Sequence, residues 1–193
     1  MMTRAALLVI DFFNPRGFHG YEAATLRAAR NTARLKARLR AIGVPTIYAN
    51  DNFGQWASEF SGIVQACRAA AGAPATIAEL LAPEHGDRSI LKPRHSAFYE
   101  TPLAFLLDDL RTKKVILTGV SADSCIMFTA HDAYLRKLEL WVPADCVASE
   151  KPAYTRAALS HQERVLHASI ATSRTDLARQ LHRQTRNSAT SGK

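Results

Sequence analysis

Short runs of apolar residues alternate along this chain with longer stretches in which apolar residues recur at helical spacing. The short runs are rich in Val, Ile and Leu, which is typical of strands buried on both faces. Alternation of such strands with helices is typical of a parallel sheet covered by helices on both sides. The pattern therefore predicts an α/β fold with six strands, at residues 6–10, 45–49, 89–91, 115–118, 138–142 and 168–171.

Two helices are predicted with defined ends. One covers residues 21–42 and is followed by glycine and proline, which end helices. The other covers residues 103–111 and is preceded by Thr101 and Pro102, which are favoured at a helix start. The segment 53–86 has the least regular pattern, and we predict loops there that cover a binding site.

The sequence VILTGVSADSC at residues 115–125 combines a buried strand with a sharp polar turn. The small and capping residues of the turn, and the apolar residues after Cys125, predict that a helix begins at the cysteine. The positive end of a helix dipole favours a thiolate and lowers a cysteine pKa. A lowered pKa and a role as nucleophile are therefore predicted for Cys125.

Three reactive side chains are predicted at one edge of the sheet. Asp11 follows the first strand, Lys92 the third, and Cys125 the fourth after a short turn. Ligands of open parallel sheets bind beyond the carboxyl ends of the strands. Each residue alone has a commoner role, as a turn carboxylate, a solvated lysine or a buried inert thiol. Their occurrence at the same edge favours a functional site.

The length of 193 residues predicts one domain over 1–183, followed by a disordered tail at 184–193. The three cysteines form neither a disulfide framework nor a zinc-ligand spacing, so a reducing, cytoplasmic location is predicted. The apolar run near the N-terminus ends at Asp11 and is too short for a signal peptide or a membrane span. No membrane partner is therefore predicted.

The formal net charge of +8 raises the question of nucleic-acid binding. Much of the charge lies on one stripe of the first helix, which is typical of a solvated face. No nucleic-acid motif with interleaved aromatic residues accompanies the stripe. We therefore predict no nucleic-acid partner. The stripe residues are Arg27, Arg30, Arg34 and Arg38.

Three ordered motifs resemble the isochorismatase-like cysteine hydrolases, a superfamily that includes nicotinamidases and N-carbamoylsarcosine amidohydrolase. The motifs are LLVIDFFN, LKPRHSAFYETPLAFLL and VILTGVSADSCIMFTAHDAYLRKLELWVPADCVAS. Together they span nearly the whole chain between residues 6 and 171. The resemblance implies a three-layer α/β/α sandwich around a six-stranded parallel sheet.

The resemblance also implies roles for individual residues. It assigns Asp11, Lys92 and Cys125 as a catalytic triad. It implies a cis peptide bond between Val120 and Ser121, and an oxyanion hole formed by the backbone N–H groups of Ser121 and Cys125. It further implies a homo-oligomer, dimer or tetramer, in which neighbouring subunits help to close the active site.

One part of the family pattern is absent. Nicotinamidases of this superfamily carry a metal site made from an aspartate and histidines after the second strand. Here Asp51 is present, but the residues that follow it, Asn52 to Gln55, include no histidine. No metal site and no cofactor are therefore predicted. Asp51 and Asn52 are expected to bond backbone groups of their loop.

Four residues are predicted to line the substrate pocket, three of them aromatic, with ordinary core packing as the alternative for the aromatic ones. His19 and His95 are further polar candidates. Asp123 is interpreted as a cap of the helix that begins at Cys125, and Asp132 as structural. The four predicted pocket residues are Phe13, Asn14, Trp56 and Phe98.

The leading functional prediction is a metal-independent cysteine hydrolase. It would cleave a C–N bond of a small amide, urea or carbamoyl compound through a thioester. One alternative is isochorismate-type vinyl ether hydrolysis, although family members with that activity lack the nucleophilic cysteine. Another is a catalytically silent binding or assembly protein of the same fold. The sequence names neither the substrate nor the pathway.

Overall fold

The computed structural model describes residues 4–182 as a six-stranded parallel sheet with helices on both faces. Adjacent strands follow the order β3-β2-β1-β4-β5, and β6 pairs with the end of β4. Every pairing is parallel, which confirms the predicted fold class. The strands are β1 (Ala5–Ile10), β2 (Thr46–Asp51), β3 (Arg88–Lys92), β4 (Lys114–Val120), β5 (Glu139–Trp141) and β6 (Val147–Ala148).

Helices cover both faces of the sheet and give three layers. Within residues 4–182 they are α1 (Glu22–Arg40), α2 (Phe60–Ala69), α3 (Ala73–Leu80), α4 (Leu103–Asp109), α5 (Cys125–Leu135), α6 (Pro152–Leu166) and α7 (Leu177–His182). Nearly all buried apolar side chains of α1, α2 and α3 belong to one core cluster, and those of α4, α5 and α6 belong to a second. None of the helices in this range is both long and apolar enough to span a bilayer.

The central strand β1 shows why the sheet is covered on both sides. Its six residues are all buried. Leu7 and Val9 point into the core cluster of α1 to α3, whereas Leu8 and Ile10 point into the cluster of α4 to α6. Because successive side chains of a strand point to opposite faces, a continuous apolar run can only be buried between two layers.

The sixth strand differs from the prediction. Residues 168–171 form no strand, and only Ser169 makes a bridge, with Trp141. β5 has only three residues, so a strand at residues 168–171 would have few residues to pair with. The sixth strand is instead Val147–Ala148, which pairs with Gly119 and Val120. Two residues are too few to give a strand pattern in a sequence.

The segment 53–86 also differs, because it contains α2 and α3 as well as loops. Residues 70–72 separate the two helices, with Gly72 directly before α3 and Pro74 in the first turn of α3. The irregular part that follows β2 is confined to residues 52–59. The tail predicted at 184–193 lies outside the described residues.

Gly119 allows the ends of β1 and β4 to approach closely. Its φ is +133°, and a Cβ at this position would collide with the carbonyl oxygen of Ile10. Gly119 is the register partner of Ile10 in the β1–β4 pair. Only glycine fits this contact, and it brings the segments that follow the two strands together.

Candidate active site

Two of the predicted site residues follow neighbouring strands at the centre of the sheet. Asp11 comes directly after β1, and Cys125 is the first residue of α5, after β4 and a four-residue turn. The strand order reverses between β1 and β4, since β2 and β3 lie on one side of β1 and β4 and β5 on the other. Open α/β sheets form their ligand crevice at such a point.

Lys92 joins these two residues from the end of β3. Its side chain is completely buried, and its Nζ lies 2.7 Å from the Asp11 carboxylate and 3.6 Å from the Cys125 thiol. Nζ also donates to the carbonyl oxygen of Arg94 at 3.1 Å and lies 3.9 Å from the Asp51 carboxylate. Asp11, Lys92 and Cys125 therefore form one contact group at the carboxyl edge of the sheet.

The Asp11 carboxylate is fixed by contacts on both oxygens. Oδ1 accepts the backbone N–H of Asp51 at 2.7 Å, and Oδ2 pairs with Lys92 at 2.7 Å. Burial raises the pKa of Asp11, while the Lys92 ammonium and a hydrogen bond with Cys125 oppose the increase. A carboxylate with a raised pKa next to a thiol is suited to accept its proton.

The pKa of Cys125 contradicts the sequence-based prediction. Burial and the Asp11 carboxylate together raise it to about 12, because the Lys92 ammonium offsets them only in part. The position at the start of α5 is as predicted, but it does not make the thiol acidic. The thiol is therefore protonated at neutral pH and needs a base to become a nucleophile.

The turn between β4 and α5 presents two backbone donors. The peptide bond between Val120 and Ser121 is cis. The N–H groups of Ser124 and Ile126 both donate to the carbonyl oxygen of Ser121 at 3.1 Å. Within residues 4–182, no backbone hydrogen bond is formed by the N–H groups of Ser121 and Cys125. These two donors lie on either side of the turn that carries the thiol.

His95 also contacts the thiol. Its Nδ1 lies 3.7 Å from the Cys125 Sγ and 3.2 Å from the Ser124 hydroxyl. Its ring stacks on Phe128 with a centroid distance of 5.3 Å and an interplanar angle of 25°. The sequence analysis named His95 only as a polar candidate. Its position three residues after Lys92, in the loop that follows β3, is the signal that favours it.

Side-chain hydrogen bonds attach this loop to α5. The Ser96 hydroxyl donates to Asp132 at 2.5 Å, and the backbone N–H of Ala97 donates to the Thr129 hydroxyl at 3.0 Å. The Thr129 hydroxyl in turn donates to the carbonyl oxygen of Cys125 at 2.7 Å. The structural interpretation of Asp132 is confirmed. These bonds fix the loop that follows Lys92 and carries His95 relative to the helix that carries the thiol.

Asp123 has a different role from the predicted cap. No side chain caps the N-terminus of α5, and the Asp123 carboxylate instead accepts the hydroxyl of Ser149 at 2.6 Å. This bond connects the turn before Cys125 to the segment after β6. The sequence could not separate the two roles, since both use a carboxylate one or two residues before a helix.

The predicted pocket residues are not brought together around the thiol. Phe13 and Phe98 are 1% and 5% exposed and belong to the two core clusters. For these two residues the alternative of ordinary core packing therefore holds. Trp56 is 82% exposed. Asn14 bonds the backbone of Arg16 and Gly17, and lines a surface cavity of about 470 Å³ with the loop after β2.

Tyr21 is a residue near the site that the sequence analysis missed. Burial raises the pKa of Tyr21, and electrostatic interactions with Cys125 and Asp123 add to the increase, which puts the phenol within electrostatic range of the site. Tyr21 lines a cavity of about 780 Å³ between the start of α1, the segment after β6 and the start of α6. No motif marks this tyrosine in the sequence.

The residues after β2 do not suit a metal ion. An Asp51 oxygen accepts the backbone N–H of Phe53 at 2.6 Å, and an Asn52 oxygen accepts that of Gly54 at 2.9 Å, as predicted. The Lys92 ammonium lies 3.9 Å from the Asp51 carboxylate and already provides a positive charge there. In residues 4–182, no three His, Cys, Asp or Glu side chains are grouped in a way that could hold a metal ion. The donor set therefore does not match the nicotinamidase metal site.

Fold and site together define an α/β/α protein with a cysteine, a buried lysine and a partly buried carboxylate at the point where the strand order of a parallel sheet reverses. The chain belongs to the isochorismatase family, whose domain model matches residues 5–185. It is therefore a member of a hydrolase family, as the resemblance implies.

Two curated relatives are similar in sequence. The uncharacterized isochorismatase family protein YaaI of Bacillus subtilis is 36% identical over 170 residues, which are 86% of this chain and 93% of that protein. The ureidoacrylate amidohydrolase RutB of Methylorubrum extorquens is 34% identical over 76 residues, which are 39% of this chain and 31% of that protein. The second match covers less than half of either protein.

Two solved structures share the fold. N-carbamoylsarcosine amidase from Thermoplasma acidophilum has a TM-score of 0.70 and 24% identity, and the match covers 90% of this chain and 98% of the amidase. Nicotinamidase from Staphylococcus aureus has a TM-score of 0.68 and 24% identity, with 89% and 99% covered. At this level of identity the similarity is one of architecture.

Proposed function

We propose that this protein is a metal-independent cysteine hydrolase that cleaves a C–N bond of a small amide, urea or carbamoyl compound. The observation that carries the proposal is the contact group at the sheet edge, in which the Lys92 ammonium lies 2.7 Å from the Asp11 carboxylate and 3.6 Å from the Cys125 thiol. A thiol, a base for its proton and a fixed positive charge are the components that a thioester mechanism requires.

The first half-reaction begins with Asp11 ionised and Cys125 protonated. As the sulfur attacks the substrate carbonyl carbon, Asp11 takes the thiol proton, and the carbonyl oxygen becomes an oxyanion. The tetrahedral intermediate then collapses, the C–N bond breaks, and Asp11 returns the proton to the leaving nitrogen. The products are the free amine or ammonia and a thioester on Cys125.

The second half-reaction uses the same carboxylate on water. Asp11 accepts a proton from a water molecule as its oxygen attacks the thioester carbon. Collapse of the second tetrahedral intermediate breaks the C–S bond, and Asp11 gives the proton to the departing sulfur. The acid product leaves, and the thiol and the carboxylate return to their starting protonation states.

The backbone N–H groups of Ser121 and Cys125 are the proposed donors to both oxyanions. Neither donates a backbone hydrogen bond within the described range, so both are free to point at a substrate oxygen. One well-placed donor of this kind contributes about 3 to 4 kcal/mol to transition-state stability. Lys92 does not touch the substrate in this scheme. It holds the carboxylate and compensates negative charge on the sulfur.

The substrate class is supported by the relatives and by the residues of the site. One relative is a ureidoacrylate amidohydrolase and one structural neighbour is an N-carbamoylsarcosine amidase. The presence of Cys125 argues against the vinyl ether alternative, since the members that the resemblance associates with that reaction lack the cysteine. An intact group of Asp11, Lys92 and Cys125 argues against a silent assembly protein.

A screen of small amides, ureas and carbamoyl compounds for released ammonia tests the proposal. We expect turnover of at least one compound, complete loss of turnover in Cys125→Ala, and an acyl adduct on Cys125 by mass spectrometry after rapid quenching. Cys125→Ser is the matched control for side-chain size. Turnover that survives in Cys125→Ala would exclude the thioester mechanism.

Removal of metal should leave turnover unchanged, because the loop after Asp51 provides no histidine ligand. Prolonged treatment with EDTA and phenanthroline, followed by assay of the compound identified in the screen, measures this. A loss of activity that zinc, iron or manganese restores would show that the reaction depends on a metal ion.

A further inference from the structure

Two histidines face each other across the α5–α6 contact, away from the triad. The Nε2 of His161 lies 3.2 Å from the Nε2 of His131, and the ring centroids are 5.2 Å apart. Both side chains are half-buried. They line an open cavity of about 400 Å³ that none of Asp11, Lys92 and Cys125 lines.

The tautomer of His131 is fixed by its other ring nitrogen. Nδ1 lies 2.8 Å from the backbone carbonyl oxygen of Met127, which only accepts, so Nδ1 carries the proton. The Nε2 of neutral His131 therefore presents its lone pair to His161, which donates its Nε2 proton to that lone pair when no ion is bound. In a metal-bound histidine, one ring nitrogen usually donates its N–H to a backbone carbonyl or a carboxylate, and the other ring nitrogen binds the metal through its lone pair.

The distance between the two Nε2 atoms matches that of two ligands on one ion. Imidazole nitrogens bind Zn²⁺ at about 2.0 to 2.1 Å, so two of them are about 2.9 Å apart at a right angle and about 3.3 Å apart at the tetrahedral angle. The observed 3.2 Å lies within this interval. When an ion is bound, His161 carries its proton on Nδ1, and both lone pairs point at the metal.

The electrostatic surroundings favour a cation. The exposed Asp123 carboxylate lines the same cavity, and the lining residues include neither Lys nor Arg. The thioether of Met127 and the phenol of Tyr154 also line it. The cavity is open to solvent, so water can complete the coordination of an ion that two imidazoles hold.

We propose that His131 and His161 form a binding site for a divalent transition metal ion of the type that prefers imidazole, such as Zn²⁺, Cu²⁺ or Ni²⁺. The ion cross-links α5, whose first residue is Cys125, to α6. Its effect is on the stability of this helix pair and not on bond cleavage. The proposal does not depend on the proposed hydrolase function, and its test uses no substrate.

The test is a zinc titration by calorimetry on tag-free full-length protein that carries Cys125→Ala, so that the thiol and His95 cannot provide a competing site. We expect one ion per chain and an affinity reduced at least about tenfold by either His131→Gln or His161→Gln. His85→Gln removes an exposed histidine elsewhere and is the matched control, with unchanged affinity expected. Equal affinity in all three variants, or no saturable binding, would overturn the proposal.

Two measurements on the same background cover the case in which a histidine variant fails to fold. Zinc at a hundred times Kd should raise Tm by about 5 to 10 °C. Bound Cu²⁺ should show hyperfine splitting from two nitrogens in its electron paramagnetic resonance spectrum. A copper spectrum without nitrogen ligands, or an unchanged Tm, would mean that the two histidines form a direct hydrogen bond only.

Discussion

Lys92 is the side chain on which the electrostatics of the site depend. Burial alone would lower its pKa, but the interactions with Asp11, and to a smaller extent with Cys125, outweigh burial and raise it. The lysine therefore stays positively charged although it is fully buried. Removal of this charge would leave the Asp11 carboxylate buried without its partner, which is costly in a protein interior.

Cys125 should be the first of the three thiols to react with iodoacetamide. Burial raises the pKa of all three, to about 12 for Cys125, about 11 for Cys67 and about 12 for Cys146, so acidity does not favour Cys125. Access of the reagent to the sulfur favours Cys125, because Cys67 and Cys146 are buried and Cys125 is only partly buried. Mass spectrometry of the folded protein after limiting reagent identifies the labelled peptide.

Lys92→Met should slow this labelling by about tenfold or more, since loss of the counter-charge raises the pKa of the thiol by about one unit or more. Lys113→Met, at an exposed lysine, is the matched control and should label at the normal rate. Labelling of Cys67 or Cys146 before Cys125 would contradict the nucleophile assignment.

The pH dependence of turnover should report the environment of Asp11. The proposed reaction needs the ionised carboxylate, and burial raises the pKa of Asp11 above its ordinary value of 3.8. Activity is therefore lost as pH falls through a value above 3.8, and is retained above it. A profile of kcat/KM against pH for the screened substrate measures the acidic limb, as an apparent value of the coupled group.

Asp11→Asn should reduce kcat/KM by about a hundredfold or more, because it removes the proton acceptor. Asp109→Asn replaces an aspartate at the end of α4 and should leave the profile unchanged. An acidic limb at or below pH 3.8 in the native protein would mean that another group limits the rate at low pH.

At the scale of elements, the site depends on how closely the C-terminal ends of β1 and β4 approach each other. The carbonyl oxygen of Ile10 occupies the space that a side chain at residue 119 would need. The Thr118 hydroxyl donates to the carbonyl oxygen of Leu8 at 3.0 Å and adds a second connection between the strands. The loop after β1 is likewise bonded to Asn50 of β2 through both backbone groups of Phe13.

Gly119→Ala should lower the free energy of unfolding by about 3 kcal/mol or more. The added methyl group meets backbone rather than a movable side chain, and the φ of +133° is unfavourable for alanine. Urea denaturation followed by circular dichroism measures the loss.

Gly62→Ala is the matched control for this substitution. Gly62 lies within α2, and a Cβ there meets nothing within 4 Å. Alanine should stabilise that helix by about 0.5 to 1 kcal/mol. Equal effects of the two substitutions would show that the contact between Gly119 and Ile10 does not constrain the fold.

Sequence reasoning predicted the elements that have long and regular patterns. β1 and β4 are continuous apolar runs, and α1 is a long helix, so the periodicity of each is clear. β6 has only two residues and forms because β4 extends far enough to pair with it. That pairing depends on tertiary structure and leaves no local pattern. α2 and α3 were missed, whereas the shorter α4 was predicted because Thr101 and Pro102 mark its start.

The three residues of the contact group could be predicted because they follow strands with clear sequence patterns. The strand that each of Asp11, Lys92 and Cys125 follows can be read from the sequence, and parallel strands end at the same edge. The pKa of Cys125 could not be predicted, since it depends on burial and on the Asp11 charge from another strand. The pocket residues were unpredictable because an aromatic side chain can either pack in the core or line a cavity.

For the whole molecule, the two cores leave large apolar side chains exposed on α5. Phe128 is 54% exposed and Leu135 is 75% exposed. The two residues are seven positions apart, so they lie on the same face of the helix. Phe128 also contacts His95 beside the thiol. This face therefore extends from the candidate active site along the outer side of α5.

We predict that the protein is a homo-oligomer, dimer or larger, in which this face of α5 contacts a second copy. Burial of exposed large apolar side chains favours association, and a face that continues from the site explains how a neighbouring subunit would help to close it. Light scattering coupled to size exclusion should give a mass at least twice the 21.2 kDa of one chain.

Leu135→Glu should shift the protein towards the monomer and lower turnover per chain. Phe105→Glu, at an equally exposed residue of α4, is the matched control and should leave the mass unchanged. A mass of one chain at micromolar concentration with full activity would contradict both the oligomer and its role in the site.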